Sequence, residues 1–222
     1  MELYEAMRST FAARHYLDEQ IPDEVLFRML DNARFAPSGG NRQGWRLLVI
    51  KNKDIRRQLK GILEPTIKQY KTQAMNGETP FCSIGVSSVT SEAIDKMSPS
   101  FPLVDEIEDA PVLLVICVDL SLVTSFDKDL DRVGVISGAS IYPFAWNILL
   151  AARNEGLGGV LTTFLAHQEE AVKSLLDVPK NYAVAALLGI GKPVKQLTKL
   201  KRYPVASFTW LDTFDGEQFA KN

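Results

Sequence analysis

Histidine and cysteine are scarce in this 222-residue chain, at two residues each. With only His15 and His167, no nearby histidine pair can ligate a metal. Cys82 and Cys117 lie far apart and form no Cys-x-x-Cys motif, which argues against a zinc site or a disulfide framework. Cys117 stands within the apolar run Val112–Val118, the setting of a buried free thiol. An excess of one charge is missing too. The net charge of −2 gives no general case for binding nucleic acid or an anionic membrane surface. No apolar run approaches membrane-spanning length. Met1–Glu5 lacks the basic-then-apolar pattern of a signal peptide, so a cytoplasmic protein without nucleic-acid or membrane partners is expected. Walker and G-x-G-x-x-G motifs are absent, and Ser38 precedes two glycines without the G-x-S-x-G frame of a hydrolase. No side chain is therefore nominated as catalytic. The two histidines are expected to be structural or exposed, and Asp119 to be a turn residue.

What is present is the composition of an ordinary globular protein, 46% hydrophobic and 23% charged. No repeat or linker divides it, so residues 1–222 are expected to form one domain. Pro22-Asp23-Glu24 opens a helix whose apolar positions Val25, Leu26, Met29, Leu30 and Ala33 share one face. Trp45–Ile50 follows as a short strand. A helix carrying Ile55, Leu59, Ile62 and Leu63 is expected to end at Glu64-Pro65. Residues 65–110 are poorly periodic and suggest either a mobile cover in which Tyr70, Phe81 and Phe101 are available to a substrate or a plain surface excursion. Val112–Val118 is the strongest strand, apolar throughout. A helix is expected from about Val135 to Asn154, with Pro143 marking a kink or a late start. Gly156–Thr163 is a glycine-rich turn into a short strand. A helix near His167–Leu176 and a strand over Tyr182–Ile190 complete the pattern.

Three segments carry recognition chemistry. The first, Arg8-Ser9-Thr10-Phe11-Ala12-Ala13-Arg14-His15-Tyr16, gathers two guanidinium groups and two hydroxyls close together near its start, which suit a phosphate monoester. The second, Ala36-Pro37-Ser38-Gly39-Gly40-Asn41-Arg42-Gln43-Gly44-Trp45, lets the backbone approach a flat ligand, with amide and guanidinium donors at a strand entrance. In the third, Lys192, Lys195, Lys199, Lys201 and Arg202 crowd the tail. Taken singly, each could be an ordinary loop or a solvated basic face.

Their order along the chain resembles the nitroreductase family of FMN flavoenzymes, with A-P-S-x-x-N-x-Q-x-W as the most specific element. Gly44 stands where the family more often has proline, which should loosen the strand entrance. The resemblance implies an α+β fold with a central mixed, mostly antiparallel sheet flanked by helices. It also implies an intertwined homodimer with two FMN sites at the interface. Arg8, Ser9, Thr10 and Arg14, with Lys201 or Arg202, would hold the ribityl phosphate. Pro37, Ser38 and Gly39 of the partner would cover the flavin ring, with Asn41 and Gln43 nearby. Backbone groups of Val160, Leu161 and Thr162 would approach its other side. Hydride would pass from NADH or NADPH through flavin N5 to a nitroaromatic, quinone or unsaturated metabolite by a ping-pong mechanism. The alternatives are amine or ring oxidation, flavin breakdown, or flavin binding without turnover.

Overall fold

Burial on both faces defines the middle of the sheet. Val112–Val118 and Val184–Gly191 are buried without a break, as strands covered by helices on both sides must be. The computed structural model describes residues 1–220. Its helices are α1 (Leu3–Ser9), α2 (Asp23–Ala33), α3 (Lys53–Met75), α4 (Ser91–Lys96), α5 (Pro102–Asp105), α6 (Tyr142–Asn154) and α7 (Glu169–Leu175). Its strands are β1 (Trp45–Val49), β2 (Val112–Asp119), β3 (Gly158–Thr162) and β4 (Tyr182–Gly191). They form one sheet in the order β1-β2-β4-β3, and every pairing is antiparallel. The parallel component expected of a mixed sheet is confined, among the described residues, to the bridge between Ala12 and Gly159.

Each face of the sheet has its own core. On one, Leu26 and Met29 of α2 meet Phe144, Ile148 and Leu149 of α6. Trp45 stacks on Phe144 there, with ring centroids 4.8 Å apart. On the other, Leu59, Leu63 and Ile67 of α3 pack with Ile107, Leu165 and Val172. This second core corrects the expected end of α3. The helix runs through Pro65 to Met75 although proline forfeits the bond to the carbonyl one turn earlier. Thr66, Ile67, Thr72 and Gln73 beyond it are buried, so tertiary packing outweighs the local break.

Two other boundaries differ from expectation. Residues 136–140 form a tight 3-10 turn, and α6 starts only at Tyr142, placing Pro143 in its first turn. Helix α1 lacks a sequence signal because Ala6 is its one buried apolar residue. The irregular region shrinks accordingly. Residues 65–75 belong to α3, and α4 and α5 occupy part of the remainder. Tyr70, Phe101 and Phe164 pack edge to face on one another, with centroids 5.2 to 5.9 Å apart. Two of the three expected substrate-facing aromatics are thus engaged in packing, while Phe81 lies against His167 at 4.9 Å.

Residues 77–89 form an irregular turn gathered around one carboxylate. Glu78 accepts from the Ser87 hydroxyl at 2.6 Å, from the backbone N–H and hydroxyl of Ser88 at 2.9 and 2.8 Å, and from Asn76 at 2.9 Å. These bonds, that from Ser87 foremost, hold its carboxyl down to about 2.

Candidate functional site

The N-terminal segment is stitched to the β3 edge of the sheet. Ser9 and Thr10 are buried, and their hydroxyls donate to the Glu5 and Ala6 carbonyls at 2.7 and 2.8 Å. Arg153 Nε of α6 donates to Ser9 Oγ at 2.9 Å. Both hydroxyls therefore serve to fix the end of α1. The chain then meets β3, where Ala13 N–H donates to the Gly159 carbonyl at 3.1 Å. The Tyr16 hydroxyl lies 2.7 Å from the Ala13 carbonyl and 2.8 Å from that of Gly189. Burial pushes this phenol well above its ordinary pKa and keeps it a donor. A Cβ at Gly159 would lie 2.8 Å from the Gly189 oxygen and 2.9 Å from Leu149 Cδ2, so a side chain has no room there.

The chain leaving β4 closes over this segment. Leu17 N–H donates to the Lys192 carbonyl at 2.8 Å, Val194 N–H to that of His15 at 3.1 Å, and Gln196 Nε2 to that of Ser9 at 3.0 Å. Gln196 Oε1 is buried and has no partner among the described residues. Arg14 and Lys195 face a groove of about 390 Å³ whose walls include Phe11, Val194 and Leu197. Arg8 borders a neighbouring one with Arg153 and Thr198. Arg8, Arg14, Lys195, Lys201 and Arg202 make no ion pair among the described residues. Lys201 and Arg202 lie exposed beyond the groove, Arg202 Nη1 donating to the Lys201 carbonyl at 2.7 Å.

The loop before β1 is built differently. Gly39–Asn41 makes one 3-10 turn, and Gly40, Asn41 and Gln43 take positive φ values of 60°, 52° and 50°. Asparagine adopts this region more readily than glutamine, and local bonds hold both in place. Ser38 Oγ accepts from Gln43 N–H at 2.9 Å, and Gln43 Nε2 donates to Asn41 Oδ1 at 3.1 Å. Two hydroxyls brace the loop from outside. Gly39 N–H donates to Ser140 Oγ at 3.0 Å and Arg42 Nη1 to Thr124 Oγ1 at 2.8 Å. Pro37, Gly39, Asn41 and Gln43 remain exposed. Gly44 is buried, and its carbonyl accepts from Asp119 N–H at 2.9 Å, so the strand entrance is fastened rather than loosened.

Within one chain these two regions do not meet. The loop enters β1 beside Val118 at one edge and end of the sheet, whereas Val160 pairs with Gly189 near the other end, on the opposite edge. Three strand spacings and some six residues of rise separate them by roughly 25 Å. Val160, Leu161 and Thr162 belong to an edge strand, so part of their backbone faces away from β4. The structure thus brings Arg14 and Lys195 to one groove next to the β3 edge, places Arg8 at another, and leaves the 37–43 loop apart.

Other candidates fall into supporting roles. Asp119 Oδ1 accepts from Ser121 N–H and hydroxyl at 3.0 and 2.6 Å and from Asn181 at 3.1 Å, which makes it a turn residue. His15 is exposed beside Glu106, and His167 Nδ1 lies 3.1 Å from the Thr66 hydroxyl. Burial, with Glu169 contributing, raises the Cys117 thiol to about 11. Asp127 is a buried carboxylate, accepting from Val135 N–H at 2.7 Å, Arg132 at 2.9 Å and the Ser125 hydroxyl at 3.0 Å. These bonds, that from Val135 foremost, hold it far below the ordinary carboxylate range. Among the described residues no cluster of three or more potential metal ligands exists, and no helix is long and apolar enough to cross a membrane.

The chain has sequence relatives and shares its fold with solved structures. A curated protein from Methanothermobacter thermautotrophicus named putative NADH dehydrogenase/NAD(P)H nitroreductase is 24% identical over 197 residues, covering 88% of this chain and 79% of that protein. Human iodotyrosine deiodinase 1 is 28% identical over 207 residues, covering 92% of this chain and 66% of that protein. Among solved structures, iodotyrosine deiodinase bound to FMN and 3-iodo-L-tyrosine superposes with a TM-score of 0.69 at 24% identity, covering 96% of this chain and all of that one. The NADPH:FMN oxidoreductase of Vibrio harveyi, complexed with NAD+, gives 0.67 at 19% identity, covering 95% and 77%. The sequence model of the nitroreductase family matches residues 7–192, most of the chain, and the protein belongs to that family.

Proposed function

We propose that this protein is an FMN-dependent oxidoreductase that takes hydride from NADH or NADPH and passes it to a small organic acceptor by a ping-pong mechanism. The observation that carries this reading is the groove beside the β3 edge. It combines apolar walls with guanidinium and ammonium groups that make no ion pair, and it adjoins an edge strand through Ala13, features that suit a phosphorylated planar ring. FMN, when bound there, would supply the hydride-transfer chemistry, and the protein would hold and orient it. Arg14 and Arg8 supply positive charge for its phosphate, and Lys201 and Arg202 can close in from the tail. Ser9 and Thr10 hold that segment by spending their hydroxyls on α1. Val160, Leu161 and Thr162 offer backbone groups to one side of the ring.

The other side needs a second chain. Pro37, Ser38, Gly39, Asn41 and Gln43 lie too far away to cover a ring held at their own chain's β3, so a homodimer brings the loop in from its partner. The surface supports this reading. The chain exposes 13709 Å², against about 10,000 Å² for a compact monomer of this mass. Tyr203, Phe208, Phe214 and Phe219 stand exposed along the tail, as expected of an arm that packs on another subunit. In such an assembly the protein excludes water from the ring and fixes its orientation.

The deciding experiment is an anaerobic spectrum of the purified protein titrated with each nicotinamide. A flavin band bleached by NADH or NADPH and restored by a nitroaromatic or quinone is the expected result. A band that neither nicotinamide bleaches would reduce the protein to a flavin carrier, and failure to take up FMN would end the reading. Light scattering should show a dimer. A second reading, reductive dehalogenation of a halogenated aromatic, draws on the similarity to iodotyrosine deiodinases along nine-tenths of the chain. Release of iodide from 3-iodotyrosine by the dithionite-reduced protein would favour it.

A further inference from the structure

A second cationic cavity lies at the other edge of the sheet, where β1 ends and α3 begins. Asn52 caps α3, its Oδ1 accepting from Asp54 and Ile55 N–H at 2.8 and 3.2 Å. One turn into the helix, Arg56 is only 5% exposed. Its Nε donates to the Ile50 carbonyl at 2.8 Å, and its Nη1 to those of Glu108 and Ala110 at 3.1 and 2.6 Å. All three acceptors are neutral. A guanidinium carries five donors, and among the described residues Nη2 donates to nothing and no carboxylate pairs with Arg56. The carboxylate that acts on it, Asp109, makes its direct ion pair with Lys53 instead. Arg56 lines a cavity of about 230 Å³ together with Lys51, Lys53, Gln20, Asp23 and Asp109.

The two carboxylates in this cavity are already engaged. Asp23 pairs with Lys51 and Asp109 with Lys53, both at 2.7 Å and both largely exposed. Such solvated pairs are weak and rearrange readily. Asp109 also acts on Arg56 across the cavity, so three cations face two carboxylates and the lining keeps one positive charge in excess. The first turn of a 23-residue helix adds its positive end to the same place. We infer that this cavity binds a phosphate-sized oxyanion, held by Arg56 from below and by Lys51 and Lys53 at the rim. It is separate from the groove at Arg14, which lies across the sheet beside β3.

The test is a phosphorus NMR titration of the protein, as purified, with inorganic phosphate at ionic strength held constant by sodium chloride. Removal of Arg56 risks unfolding the α3 entrance, so the main variant is the exposed pair Lys51→Met with Lys53→Met, and Arg14→Ala serves as the comparison. Saturable binding that weakens at least tenfold in the double-lysine variant and persists in Arg14→Ala is the expected result. Non-saturating line broadening, equal binding in the lysine variant, or loss of binding in Arg14→Ala would each overturn the assignment. A parallel titration with AMP identifies the source. Tighter lysine-dependent binding of AMP points to a phosphate monoester, and tighter binding of inorganic phosphate to the free anion. Because Arg14→Ala reports on the flavin groove separately, failure here leaves the proposed function standing.

Discussion

The segment at 8–16 and the loop at 37–43 are both short, polar and placed at a sheet edge, yet they use their hydrogen-bonding groups in opposite ways. The first turns them inward. Ser9, Thr10 and Tyr16 bond backbone carbonyls, leaving Arg8 and Arg14 without carboxylate partners. The second turns them toward one another and toward two outside hydroxyls, leaving its surface exposed. An anchored segment can position charge for a ligand of its own chain. A braced, exposed loop is suited to a surface that arrives from elsewhere.

The largest effect should come from attacking the anchored side. Gly159→Ala forces a Cβ against the Gly189 oxygen and Leu149 and should cost about 3 kcal/mol by urea denaturation, with flavin lost as well. A stable variant would show that β3 is not tightly packed against β4 and α6. Arg14→Ala should leave stability nearly unchanged and weaken FMN binding roughly 10- to 100-fold, the worth of one charge-assisted contact. Fluorescence titration measures it, and unchanged affinity would place the phosphate elsewhere.

Ser140→Ala tests the braced side. It leaves Gly39 N–H without its acceptor, a loss of about 1 kcal/mol, and should weaken FMN binding only a few-fold. An effect as large as that of Arg14→Ala would erase the contrast. The turn at 77–89 extends it to pH. The Glu78 carboxyl is lower in the fold than in an unfolded chain, so its contribution is complete above the ordinary carboxylate range and fades as pH falls toward about 2. Hydrogen-exchange protection of the Ser88 amide should drop over that interval, and Glu78→Gln should lower it at neutral pH. Unchanged protection in both cases would mean that the turn is held by other contacts. The smallest effect is chemical. Native protein should offer one reactive thiol, Cys82, and unfolded protein two, since Cys117 is buried and its pKa raised to about 11.

Much of the frame was legible because burial on two faces leaves unbroken apolar runs, as in Val112–Val118. The family was legible from loop chemistry, since Pro37, Ser38, Asn41 and Gln43 keep their spacing whatever surrounds them. The length of α3 was not, because Pro65 is a local signal and the burial of Ile67, Thr72 and Gln73 is a tertiary one. The bracing roles of Ser140, Thr124, Tyr16 and Arg153 are illegible for the same reason. Each braces a segment distant in sequence, and nothing beside it in the chain marks the contact. Arg56 gave no sign either, since a buried arginine and a solvated one look alike in a helix rich in lysine and arginine.

The diagonal separation of the loop from β3 has a genetic consequence on the proposed dimer. Each flavin site would draw its cationic half from one chain and its covering loop from the other. Mix a chain carrying Arg14→Ala with one crippled at residues 38–43, each failing on its own. A quarter of the activity should return, because half of the dimers would be mixed and each of those would hold one site built wholly from intact parts.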